Sequence, residues 1–110
     1  NLTGVLDGMV VLDLTQVLAG PYCTMMLADH GADVIKIEPP EGDVSRGIGV
    51  YDPRDTARRH SGYFHSVNRN KRSIALDLKQ PADVALFKRM VEQADVVVEN
   101  YRVGVMERLG

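Results

Sequence analysis

Three stretches of the chain gather the groups best suited to chemistry. In "TQVLAGP" (15–21), Gln16, Val17, Leu18 and Ala19 join an apolar run to the start of a helix. A helix start offers unpaired N–H groups and about half a positive charge, so it can receive an anion without dinucleotide-type GxGxxG spacing. The small Ala19 and Gly20 would let a ligand approach the backbone closely. "NRNKRSIALDLK" (68–79) concentrates Arg69, Lys71 and Arg72, a density suited to phosphate. "ENYRVGVMERLG" (99–110) supplies Asn100, Tyr101, Arg102 and Arg108, and an arginine there can grip a phosphate through paired hydrogen bonds. Taken singly, each stretch also fits a plain structural role: a packed connector, a solvated basic turn, a helix-surface charge.

Other reactive types are less promising. Asp13 and Glu38 end apolar runs, where a carboxylate serves either as acid or base or as a partner for backbone N–H groups. His30, His60 and His65 are too scattered for a metal motif, so no metal is expected. Cys23 is the only cysteine, which excludes an intrachain disulfide, and its place in a helix predicts a buried thiol. Asn1 opens an "NLT" acceptor sequence, but no leader-like segment accompanies it, so no glycan is expected.

These groups need a scaffold, and the hydrophobic pattern supplies one. "MVVLDL" (9–14) reads as a strand covered on both faces. A helix follows, with Pro21 at a favoured first position, Tyr22, Met25, Met26 and Ala28 at helical spacing, and Gly31 as a left-handed cap. "ADVIKIE" places Val34 and Lys36 on one face of a strand and Ile35 and Ile37 on the other. A strand over 73–78, a helix opened by Pro81, a buried strand over 95–100 and a last helix complete the series. Residues 39–64, rich in Pro, Gly and Arg, read as an irregular loop ending in a short helix near 61–70. Repeated βαβ units imply an α/β, doubly wound, mostly parallel sheet, Rossmann-like in outline.

Composition narrows the function classes. A chain of 110 residues with 45% hydrophobic and 25% charged residues suits a globular domain or part of one. A net charge of −2 gives no global field for nucleic acid or an anionic membrane. No apolar run approaches the roughly 20 residues of a membrane span. The absent initiator methionine suggests an excised chain, and a cytoplasmic setting is expected.

Two blocks together identify a resemblance. "VLDLTQVLAGPYCTMMLADHGADVIKIEPPEGDVSRG" resembles the opening of the family III CoA-transferases, which include formyl-CoA transferase and carnitine CoA-transferase. "FHSVNRNKRSIALDLK" followed by "ADVVVENYRVGVMERLG" resembles the next two blocks in the same order. The likeness implies CoA or acyl-CoA as substrate rather than as a tightly bound cofactor, with a carboxylic acid as co-substrate. It implies transfer through a mixed aspartyl anhydride and an aspartyl-CoA thioester, the aspartate lying beyond Gly110. Residues 1–110 would then be the opening part of a family III domain, partnered by the rest of the parent chain, in an interlocked homodimer.

By the same resemblance, Val17, Leu18 and Ala19 lie against the thioester end of CoA, with Gln16 nearby. Leu76, Asp77, Leu78 and Lys79 match the segment that contacts the adenosine end. Asn100, Tyr101 and Arg102 match positions lining the CoA channel, and Arg108 matches a further arginine contact. The chain departs from the pattern twice. Formyl-CoA transferases carry glutamine at the Leu18 position, which argues against a strict formyl/oxalate enzyme. Pro39 stands where an arginine often contacts CoA, so the nucleotide end would depend on Arg46 or Arg108. Alternatives remain: a 2-methylacyl-CoA racemase of the same fold, a non-catalytic CoA-binding module, or an assembly module.

Overall fold

The computed structural model describes residues 4–48, 50–56 and 61–110. Asn1 and His60 lie outside the described residues. The elements follow the order β1 (Val10–Asp13), α1 (Ala19–Asp29), β2 (Asp33–Glu38), a 3-10 turn (Val44–Gly47), α2 (Gly62–Val67), β3 (Arg72–Ala75), α3 (Pro81–Glu92), β4 (Val96–Val98) and α4 (Val105–Leu109). The strands form one sheet in the order β3-β2-β1-β4, and every pairing is parallel. Val11 is in register with Val34 on one side and Val96 on the other.

Strand alternation separates two cores. Val11 and Val34 pack with Ala28 and Ala32 on the α1 face. Leu12, Leu14, Ile37 and Leu76 pack with Phe87 of α3 on the opposite face. The chain leaves β1 toward β2 and β3, then crosses back through α3 to β4 on the far side of β1. Crossovers of one hand running in opposite directions put their helices on opposite faces, which is the doubly wound layout.

Local signals act as expected at several points. Gly31 has φ 106°, the N–H of Ala32 bonds Leu27 O at 3.1 Å, and the Gly31 N–H bonds Ala28 O at 3.0 Å, a Schellman closure. Pro81 starts α3, and Ser61 caps α2 by accepting the Phe64 N–H at 3.3 Å. The irregular 39–64 stretch holds its own anchor: Asp43 caps the 3-10 turn, and Ser61 Oγ donates to Ile48 O.

Four expectations need correction. Helix α1 begins at Ala19, so Pro21 is its third residue rather than its first; it still falls in the first turn, where an N–H has no intrahelical partner. Cys23 is exposed, and so are Tyr22 and Met26, because α1 turns Thr24, Met25 and Ala28 to the sheet instead. The third strand ends at Ala75, and residues 76–79 leave it as a turn. Strand β4 is not buried: Val96 and Val97 are 37% and 38% exposed, since β4 stands at the sheet margin.

Candidate functional site

The strand order reverses between β1 and β4, and open α/β sheets bind ligands outside the carboxyl ends of strands at such a point. Here the loops after the two strands are latched together. The Gln16 N–H donates to Asn100 Oδ1 at 3.2 Å, and Asn100 Nδ2 donates to Gln16 O at 3.0 Å. Beyond the latch, Val17 has φ 74°, a costly conformation for a β-branched residue. A Cβ on Gly20 would stand 2.3 Å from Thr15 Cβ, so the turn into α1 closes only with glycine there. Leu18 at the N-cap gives no side-chain bond, and the first turn of α1 holds no acidic residue. The first-turn amides of Ala19 and Gly20 therefore have no side-chain cap, and Pro21 has no N–H to offer.

Beneath this turn, on the α1 face, lies a buried polar cluster. Asp13 Oδ2 accepts from Thr24 Oγ1 at 2.7 Å and from Lys71 Nζ at 2.9 Å, and its other oxygen accepts from Thr15 N–H and Oγ1. Lys71 Nζ also donates to Pro21 O at 3.0 Å and Asn68 Oδ1 at 2.8 Å. Lys36 Nζ donates to Thr15 O at 2.9 Å and pairs with Asp43 at 2.8 Å. Arg46 holds Glu38 with two bonds of 2.8 and 3.0 Å while its guanidinium lies 3.8 Å from the Phe64 ring centroid.

These contacts set the charge states. Burial pushes the Asp13 carboxyl up, but Thr15, Thr24 and the Lys71 ammonium outweigh it and hold the group below the usual range. For Glu38, burial is likewise overcome by Arg46, Ser73 and the Asp43 N–H; for Asp43, by Lys36 and Ser45. Burial pulls Lys71 down against the attraction of Asp13. Tyr101, half-buried, is raised by burial and then by Glu99 and Asp13.

On the other side of the sheet edge, a groove of about 370 Å³ is lined by Gln16, Pro39, Leu76, Leu78, Lys79 and Tyr101, by the acidic Glu38, Glu41 and Asp77, and by Val105 and Leu109 from α4, among others. It adjoins a second groove of about 570 Å³ lined by Leu78, Lys79, Pro81, Val84, Ala85, Lys88, Arg108 and Leu109. No carboxylate lines the second groove, and among the described residues Lys79, Lys88 and Arg108 have no ion-pair partner.

The sequence-derived candidates are thus partly brought together. Pro39, Leu76–Lys79 and Tyr101 share the first groove, and Arg108 joins Leu78 and Lys79 in the second. The Leu76 side chain is in the core and its N–H donates to Glu38 O at 2.8 Å, which leaves its carbonyl. Asp77 closes its own turn, accepting the Lys79 N–H at 3.1 Å. Val17, Leu18 and Ala19 are exposed beside the groove rather than in its wall, Asn100 is the latch, and Arg102 is exposed outside both grooves.

Each cation of the 69–72 run has a carboxylate partner within the chain. Arg69 pairs with Asp29 at 2.7 Å, Arg72 with Asp33 at 2.6 Å, and Lys71 is buried on Asp13. Arg46, one of the two arginines on which the nucleotide end was expected to depend, is paired with Glu38. Lys88 and the buried cluster were missed. The one available signal for the cluster was Lys36, a cation in the middle of an apolar strand, which needs a partner if its face is covered.

The family model described as CoA-transferase family III matches residues 6–110. The succinyl-CoA:mesaconate CoA-transferase of Haloarcula hispanica is 55% identical over 105 residues, which is 96% of this chain and 26% of that relative. The acetyl-CoA:oxalate CoA-transferase of Acetobacter aceti is 52% identical over 108 residues, 97% of this chain and 26% of the relative. Among solved structures, Rv3272 from M. tuberculosis, in its orthorhombic form, superposes with TM-score 0.90 at 41% identity, over 100% of this chain and 30% of that one. A CAIB/BAIF family protein from Brucella suis gives TM-score 0.86 at 40% identity, over 98% and 29%. A short chain dehydrogenase/reductase family protein, at TM-score 0.52 and 20% identity over 89% of this chain and 35% of that one, shares the fold alone. The chain spans about a quarter of the length of the curated relatives it matches.

Proposed function

The chain belongs to CoA-transferase family III, and from that premise we propose that residues 1–110 form the opening, CoA-binding part of an enzyme that moves CoA between carboxylic acids. The observation that carries this reading is the second of the two adjoining grooves, in which Lys79 and Arg108 stand without ion-pair partners and no carboxylate lines the wall. The phosphates of CoA take those cations. The pantetheine arm runs past Tyr101 and Gln16 toward the carboxyl end of β1, and the thioester rests on the Val17–Ala19 turn.

There the α1 N-terminus has a task suited to its field. When a carboxylate attacks the thioester carbonyl, the C–S bond breaks and CoA leaves as a thiolate, while the acyl group forms an anhydride with the attacking carboxylate. Thiolate attack on the carboxylate's own carbonyl then releases the first acid and gives an enzyme-bound CoA thioester. The uncapped amides of Ala19 and Gly20 stabilise the anionic sulfur between those steps. The attacking aspartate lies outside these residues. Asp13, the carboxylate beneath the turn, is 0% exposed and bonded to Thr15, Thr24 and Lys71, so it cannot reach a thioester.

Calorimetric titration with CoA tests the reading. The chain should bind CoA, and Lys79→Ala and Arg108→Ala should each weaken binding several-fold without changing the melt. Absence of binding, or indifference to both substitutions, contradicts it.

A further inference from the structure

The cations of the described residues fall into two populations. Lys36, Arg46, Arg54, Arg69, Lys71 and Arg72 each pair with a carboxylate within the chain. Lys79, Lys88, Arg89, Arg102 and Arg108 do not, and three of these five, Lys79, Lys88 and Arg108, line the same carboxylate-free groove. Lys88 is the member that no sequence motif singles out. Its position on α3 is informative: Pro81, Val84 or Ala85, and Lys88 recur at the 3–4 residue spacing of one helical face, and all four line the groove. The face offers an apolar track with a single charge at its far end.

Helix α3 runs back from the carboxyl edge of the sheet toward the start of β4. Lys88 follows Pro81 by seven residues, so it stands about 10 Å further along the helix axis. Lys79, two residues before Pro81, stands at the near end of the track, and Arg108 lines the same groove. A ligand whose reactive end rests at the sheet edge therefore meets Lys88 with its most remote anionic group. The chemistry of the two ends differs. An arginine fork suits the oxygens of a diphosphate, whereas a lysine is a compact point charge suited to a terminal monoester of higher charge density.

Resting on the CoA-binding reading above, we propose that Lys88 binds the 3′-phosphate monoester of the CoA nucleotide and gives the groove its preference for CoA over dephospho-CoA. Lys79 and Arg108 hold the diphosphate and contribute to both ligands alike.

Titration of the wild-type chain, Lys88→Ala and Arg108→Ala with CoA and with dephospho-CoA tests the assignment. Wild type should prefer CoA about tenfold, the scale of one hydrogen bond to a charged group. Lys88→Ala should remove that preference by weakening CoA alone, while Arg108→Ala should weaken both ligands and keep their ratio. Lys88 is exposed, so its variant should melt with wild type. An undiminished preference in Lys88→Ala, with Arg108→Ala weakening both ligands, overturns the role of Lys88 and leaves the groove intact. Equal weakening of both ligands by Lys88→Ala overturns the monoester assignment. No CoA binding by the wild type overturns the groove reading and this inference together.

Discussion

The two faces of the sheet treat charge in opposite ways. On the α1 face, Asp13, Lys36, Asp43 and Lys71 are drawn under the turn and neutralise one another. On the α3 face, Lys79, Lys88 and Arg108 surround an open groove with no acid among its lining residues. The first arrangement is closed: an added anion would have to displace a carboxylate already held at hydrogen-bond distance. The second is open. Cation density along the sequence is higher in the 69–72 run, yet availability for a ligand is higher in the groove. What matters for recognition is which cations both lack an internal partner and share a groove.

Breaking the closed face should give the largest effect. Lys71→Ala leaves Asp13 buried without its ammonium, and loss of one member of a buried pair costs about 3–5 kcal/mol. Urea denaturation should show a midpoint far below that of wild type. A loss under about 1 kcal/mol would mean that Asp13 finds other compensation. The same face controls acid stability. Asp13, Glu38 and Asp43 have carboxyl pKa values lowered by folding, so the unfolded chain binds more protons between the folded and unfolded values. Their contribution is fully present above the ordinary carboxylate range, about 4, and is lost as pH falls through the folded values. Stability measured from pH 7 downward should fall steeply below that range, and a flat profile would contradict the cluster.

The open face should respond in binding rather than folding. Lys79→Ala should reduce CoA affinity several-fold in titration while its melt matches wild type. Smallest of all should be Arg69→Ala, where an exposed side chain loses only its surface partner Asp29. CoA affinity should not change. A drop comparable with that of Lys79→Ala would restore the basic run to the ligand site and erase the contrast between the faces.

The scaffold was legible in the sequence because its signals are local. The 3.6-residue spacing of α3, Gly31 after α1, and Pro81 at the start of α3 each act within a few residues. Charge pairing was not legible, since Lys71 and Asp13 are 58 residues apart and nothing near either one announces the other. Periodicity also says which residues share a face, not what covers it. Hence Val96 and Val97 read as buried although β4 lies at the sheet margin. Cys23 was misplaced for a related reason: α1 is apolar on more than one face, so its pattern did not choose which side meets the sheet. For the candidate site, the family resemblance gathered residues from 16 to 108 that share no local pattern. It named Arg108 and Lys79 but not Lys88, whose place only the fold reveals.

The central claim, that CoA occupies the open groove rather than the basic run, is tested most directly by amide hydrogen exchange with and without CoA. The account predicts added protection across residues 76–79 and 101–109 and in the turn at 17–19, with 69–72 unchanged. Protection confined to 69–72, or none in the groove at saturating CoA, would contradict it.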